Sequence, residues 1–141
     1  MQIDLATVCD YAIIDQHGKL SIMGIFSHIC VGQFPAVHPR AHLVLHLKGR
    51  RTEVGEHKVR IRLVDEEENE LINGDGTVNF SEPPAGVLEI AAGAILAFDI
   101  PFPRAGKYRF QIVVYEDLST EIPITAALGP NPASRQAPEG L

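Results

Sequence analysis

The chain has no tryptophan, only three tyrosines and only two cysteines in 141 residues. Exposed aromatic platforms, the usual means of stacking on sugar rings, are therefore scarce, which counts against a carbohydrate-binding module. Cys9 and Cys30 are too far apart for a CxxC redox or zinc motif. No apolar run approaches the ~20 residues of a membrane span. Leu88–Leu96 is the longest stretch, and it contains Glu89 and Gly93. Positive charge is also in deficit: 12 Lys and Arg face 18 Asp and Glu, a net charge of −6. That balance disfavours a general binder of nucleic acid. The opening Met1-Gln-Ile-Asp-Leu5 has no basic segment ahead of an apolar one, so no secretory signal is read there. The expectation is a cytoplasmic protein with no membrane or nucleic-acid partner, its thiols free and buried.

Catalytic signatures are missing as well. No Gly-x-Ser-x-Gly elbow, Gly-rich phosphate loop or Cys beside a base in sequence is present. Of the six histidines, His42 and His46 share a strand face, but four residues of extended chain hold them about 13 Å apart, too far to share an ion. The acidic run Asp65–Glu70 lacks the alternating spacing of a calcium loop and reads as a solvated turn. No catalytic residue, metal ligand or cofactor is assigned, and a metal-dependent hydrolase ranks below both a protein-interaction role and a small-ligand module.

What is present is a strand signature repeated along the chain. Its clearest copy, Lys107–Tyr115, alternates polar and apolar residues with a period of two. Similar patterns predict strands over Ile3–Ile14, Leu20–Val31, Ala41–Leu47, Lys58–Val64, Val87–Ile100 and Glu121–Leu128. Asp15–Gly18 reads as a hairpin turn, and Gly24 as a bulge or close approach. Asn73–Gly76 reads as a turn between two short strands. Pro123 places the last strand at an edge or bulge. Tyr11, Tyr108 and Tyr115 look at least partly buried. About seven to nine short strands predict an all-β, immunoglobulin-like antiparallel β-sandwich. Gly106 and Tyr108 fit the corner in which a tyrosine hydroxyl bonds back to the preceding turn. Residues 1–128 are expected to form one domain. Residues 129–141, rich in Pro, Gly, Ser and Ala, are expected to form a disordered tail.

Three elements go beyond generic strand patterning: Gly18-Lys-Leu-Ser-Ile-Met-Gly-Ile-Phe26, Phe34-Pro-Ala-Val-His-Pro39 and Phe102-Pro-Arg-Ala-Gly-Lys-Tyr-Arg-Phe110. In these the chain, over about residues 2–128, resembles a bacterial family of small β-sandwich proteins classed as a domain of unknown function. The resemblance implies the fold and a bacterial source. It implies no activity and no site residue.

One constellation suggests a partner. Seven of the twelve Lys and Arg lie between residues 40 and 62. If the strands Ala41–Leu47 and Lys58–Val64 pair, then His42, His46, Lys48, Lys58, Arg60 and Arg62 share one outward face. Like charges opposite one another are destabilising, which suggests an anionic partner. The expected function is a non-enzymatic protein-interaction module that also self-associates as a homo-oligomer.

Overall fold

In the computed structural model, which describes residues 1–115 and 118–129, nine strands form two sheets. They are β1 (Gln2–Ile14), β2 (Leu20–Ile25), β3 (His28–Val31), β4 (Ala36–Arg50), β5 (Gly55–Val64), β6 (Glu70–Phe80), β7 (Glu89–Phe102), β8 (Gly106–Tyr115) and β9 (Leu118–Leu128). The four-stranded sheet has the order β2-β1-β4-β7 and the five-stranded sheet β3-β9-β8-β5-β6. All pairings are antiparallel except β3 with β9. The protein is an all-β sandwich. No helix among the described residues is long and apolar enough to cross a membrane. The tail expected at 129–141 lies, beyond Gly129, outside the described residues.

The core follows from alternation. Leu43, Leu45 and Leu47 of β4 are buried in one cluster with Ile61 and Leu63 of β5 and Phe110 of β8. The Phe98 and Phe110 rings, one from each sheet, lie 6.0 Å apart, and those of Phe102 and Tyr108 lie 5.0 Å apart. Each such side chain contributes roughly 1.5–3 kcal/mol through removal from water.

Three local expectations are corrected. The predicted strand Leu20–Val31 is two strands in different sheets. The Phe26 N–H still bonds Val8 O, but the Ser27 carbonyl accepts from Thr125 N, so the chain changes sheets between these residues. Apolar alternation continues across that point and conceals it. The predicted turn Asn73–Gly76 is continuous strand, paired residue by residue with β5. Its glycine serves a close approach instead: a Cβ on Gly76 would lie 2.8 Å from Leu96 Cδ2, where β6 meets β7. The predicted strand Ala41–Leu47 is longer at both ends, Ala36–Arg50, with Pro39 inside it beside a register shift between His38 and Ala41.

The predicted hairpin and its turn are observed. The Asp15 carboxylate accepts the His17 and Lys19 N–H groups at 2.8 and 2.9 Å, a local bond that fixes the turn. Register then pairs Tyr11 with Met23 and Ile14 with Leu20. Pro123 sits on β9 before the stretch Thr125–Leu128 that pairs with β3, so its missing N–H leaves no described ladder bond unmade.

Candidate functional site

The six residues expected on one face do not share it. His42, His46 and Lys48 lie on β4 in the four-stranded sheet, while Lys58, Arg60 and Arg62 lie on β5 in the five-stranded sheet. The strands do not pair because the 3-10 turn Arg51–Glu53 carries the chain from one sheet to the other. An alternation pattern identifies two strands but not which sheet each joins.

Four of the six, Arg62, Arg60, Lys48 and His46, already lie beside an acidic side chain of the chain itself. Arg62 Nε lies 2.6 Å from Glu70 Oε1, and its Nη1 donates to Gln111 Oε1 at 2.9 Å. Arg60 faces Asp75 at 3.9 Å, and Lys48 faces Asp4 at 3.5 Å. His46 Nδ1 is 2.9 Å from the other Asp4 oxygen. The bond from His46 is the main cause holding the Asp4 carboxyl below its usual range. His42 Nδ1 meets the Arg40 carbonyl at 3.0 Å, and its ring stands edge-on to Tyr11.

The acidic corner is a structural device. Asp65, 4% exposed, accepts the Glu67 and Asn69 N–H groups, the Asn69 side-chain amide and Arg104 Nη2. Burial works to raise its pKa, but these donors outweigh burial and hold the carboxyl below the usual range. Glu66 accepts the Lys107 N–H at 3.0 Å, and Glu68 bonds Arg109. Bonds from Glu68 and then Glu121 hold the Arg109 guanidinium more firmly protonated than usual. The predicted tyrosine corner is in place. The buried Tyr108 hydroxyl donates to Arg104 O at 2.5 Å and accepts from Arg104 N at 3.3 Å. Gly106 has φ +149°, a conformation that side-chain-bearing residues avoid, and its missing Cβ, which would lie 2.7 Å from Glu66 Oε1, lets Glu66 close over the same corner.

The surface that stands out is one the sequence reading did not select. Beyond Cys9, β1 leaves β4 and pairs with β2 alone. The resulting hairpin lies against the outer side of the four-stranded sheet. Cys9, Ala12 and Val44 are buried there with Leu20, Ile22 and Ile95 around them. Ile14 and Leu20 reach the space over Gly93. Burial pushes the Cys9 thiol pKa up. Both cysteines are free, with Cys30 half-buried on β3.

The other side of this hairpin is apolar and open. Tyr11 is 52% exposed, Ile13 44%, Met23 66% and Ile25 63%. Tyr11 was expected to be partly buried and is not, whereas the side chain of Tyr115 lies outside the described residues. A signal for the patch existed in the run Tyr11-Ala-Ile-Ile14, where both parities of one strand are apolar. Such a strand needs cover on both sides, and here only one is covered.

Two other features offer less. An open cleft of about 700 Å³ is bounded by Gln2, Lys48, Arg50 and Glu89 among others, but its charges are mixed in sign and Lys48 is already paired. Among the described residues no three His, Cys, Asp or Glu side chains are grouped to hold a metal ion.

A family model described as a family of unknown function (DUF6941) matches residues 4–127. The chain belongs to that family. No curated protein matches it.

Proposed function

We propose that this DUF6941 member is a non-enzymatic interaction module, an immunoglobulin-like sandwich of the reducing cytoplasm that binds another protein through the open side of its β1–β2 hairpin. The observation that carries this reading is the group of four large apolar side chains, Tyr11, Ile13, Met23 and Ile25, left open on a hairpin whose other side is packed. Contiguous open apolar surface of this kind, with polar residues around it, is the usual mark of a protein-binding site.

The strand order supports the immunoglobulin-like part. β1, β4 and β7 lie together as strands A, B and E do, β9, β8 and β5 as G, F and C do, and the tyrosine corner opens the F-like strand. The hairpin is then an addition to the A-like strand. Unbridged Cys9 and Cys30 support a reducing compartment.

The test is affinity capture from the native organism with wild-type, Ile13→Lys and Met23→Lys baits. A protein retained by the wild type and lost with both variants supports the reading. An unchanged set of captured proteins removes the hairpin from the account.

A further inference from the structure

We infer that the β1–β2 hairpin is a hinged arm, which lifts off the four-stranded sheet as one unit about Asp10 and Gly24 while the sandwich stays folded.

The arm is held lightly. From Tyr11 to Met23 its backbone bonds only within the hairpin, and β1 makes its last pair with β4 at Cys9 and His42. Among the described residues, its polar and ring contacts with β4 are the 3.9 Å approach of Asp10 to His38 and the edge-on meeting of Tyr11 with His42. The packing beneath it is thin. Of the three buried residues there, Cys9 and Val44 pair within the main sheet, and the hairpin's free part supplies only Ala12. Leu20 and Ile22 are half-buried, and Ile14 is 40% exposed. This cluster is separate from the core between the sheets. A segment with few buried apolar contacts, whose backbone bonds are not shared with its surroundings, opens at far lower cost than the whole fold.

The hinge lies at one level of both strands. The pairs Cys9 with Ile25 and Tyr11 with Met23 set Asp10 across from Gly24. Gly24 has φ +72°, and a Cβ there would lie 2.5 Å from Asp10 Oδ2, so glycine alone fits. Just past this level the chain is fixed again. The Phe26 N–H bonds Val8 O at 3.2 Å, and the Ser27 carbonyl accepts from Thr125 N at 2.9 Å. Motion is thus confined to the turn side of Gly24.

Opening has a chemical consequence. Cys9 is fully buried, with its Sγ 3.4 Å from Tyr11 O and 3.6 Å from His42 O. One wall around the thiol is the hairpin and the other is β4. Lifting the arm removes the first wall and uncovers Cys9, Val44 and Ile95 together, an apolar surface that the closed protein covers.

The experiment is thiol labelling of the full chain carrying Cys30→Ser, which leaves Cys9 as its one thiol. With an aromatic disulfide reagent, the Cys9 thiolate displaces an aromatic thiolate and forms a mixed disulfide. Rates are read across a urea series against that of the unfolded chain. The native chain is expected to react at least about 100-fold faster than its global unfolding equilibrium allows. Its rate is expected to stay nearly flat in urea below the transition, because a local opening exposes little surface. Ile22→Ala is expected to raise that rate about 5- to 20-fold, and Phe110→Ala, which loosens the distant core, to leave it unchanged. A rate that follows global unfolding in urea overturns the inference, as does one raised by Phe110→Ala and indifferent to Ile22→Ala. A native chain that reacts as fast as the unfolded one also overturns it, because no closed arm would then exist. The urea dependence of the Cys30→Ser chain alone decides the matter where a further variant fails to fold. Partner capture plays no part in this readout, so the arm and the interaction reading stand or fall separately.

Discussion

Tyr108 shows how much a single side chain settles in this protein. Its ring packs against Phe102 in the core, and its hydroxyl both gives to and takes from the Arg104 backbone. Tyr108→Phe keeps the ring and takes from the Arg104 N–H and C=O their bonds to the hydroxyl. An expected loss of about 1–2 kcal/mol follows, read from urea denaturation. Asp65 acts on the same corner through charge. Its carboxyl is held below the usual range in the folded protein, so the stability it adds is present above its unfolded value of about 3.9 and is lost as pH falls through the lower folded value. Asp65→Asn is expected to lower the urea midpoint near pH 7 and to flatten its decline below about pH 4. An acid profile as steep as the wild type's would mean that other carboxylates govern it. Tyr108 and Gly106 were legible in sequence because the corner is local. The partners of Asp65–Glu70 were not, since Arg104, Lys107 and Arg109 lie some forty residues further along.

Among the elements, the β1–β2 hairpin departs most from a simple reading. Alternation along β4 puts Val44 on the outward side with His42 and His46. Val44 is instead fully buried, because the hairpin crosses above it. Removing two methyls from so closed a site costs more than at an exposed strand position. Val44→Ala is expected to destabilise by about 1–2 kcal/mol, against less than about 0.5 for the exposed Val37→Ala. Equal effects would show that the hairpin does not cover Val44 in solution. The two halves of the expected basic face lie in separate sheets. Arg62 is bonded to Glu70 and Gln111, and Arg60 faces Asp75 on the neighbouring β6, so these residues take part in pairing along the sheet surface. Exposed pairs of this kind contribute little singly.

For the whole molecule, the apolar layer between the sheets dominates. Phe110, fully buried and facing Phe98 across that layer, has no path by which neighbours could fill the space it occupies. Phe110→Ala is expected to cost about 3–5 kcal/mol, a large share of a domain's total stability, and to show as a fall in denaturation midpoint without a change in slope. The two free thiols make no contribution as a cross-link, so reductant is expected to leave that midpoint unmoved.

The local chemistry of the chain was enough to determine an all-β sandwich: period-two apolar residues, the Asp15 turn and the Gly106–Tyr108 corner each act within a few residues. Membership of the two sheets was decided only in three dimensions. A strand's pattern fixes which of its sides is dry, but the choice of neighbour depends on crossings such as Ser27 and Arg51–Glu53, where the chain changes layer. The same is true of the open patch. Tyr11, Ile13, Met23 and Ile25 are apolar by sequence, yet whether they meet a core or the solvent depends on where the hairpin comes to rest, with its far side already occupied by Val44 and Ile95.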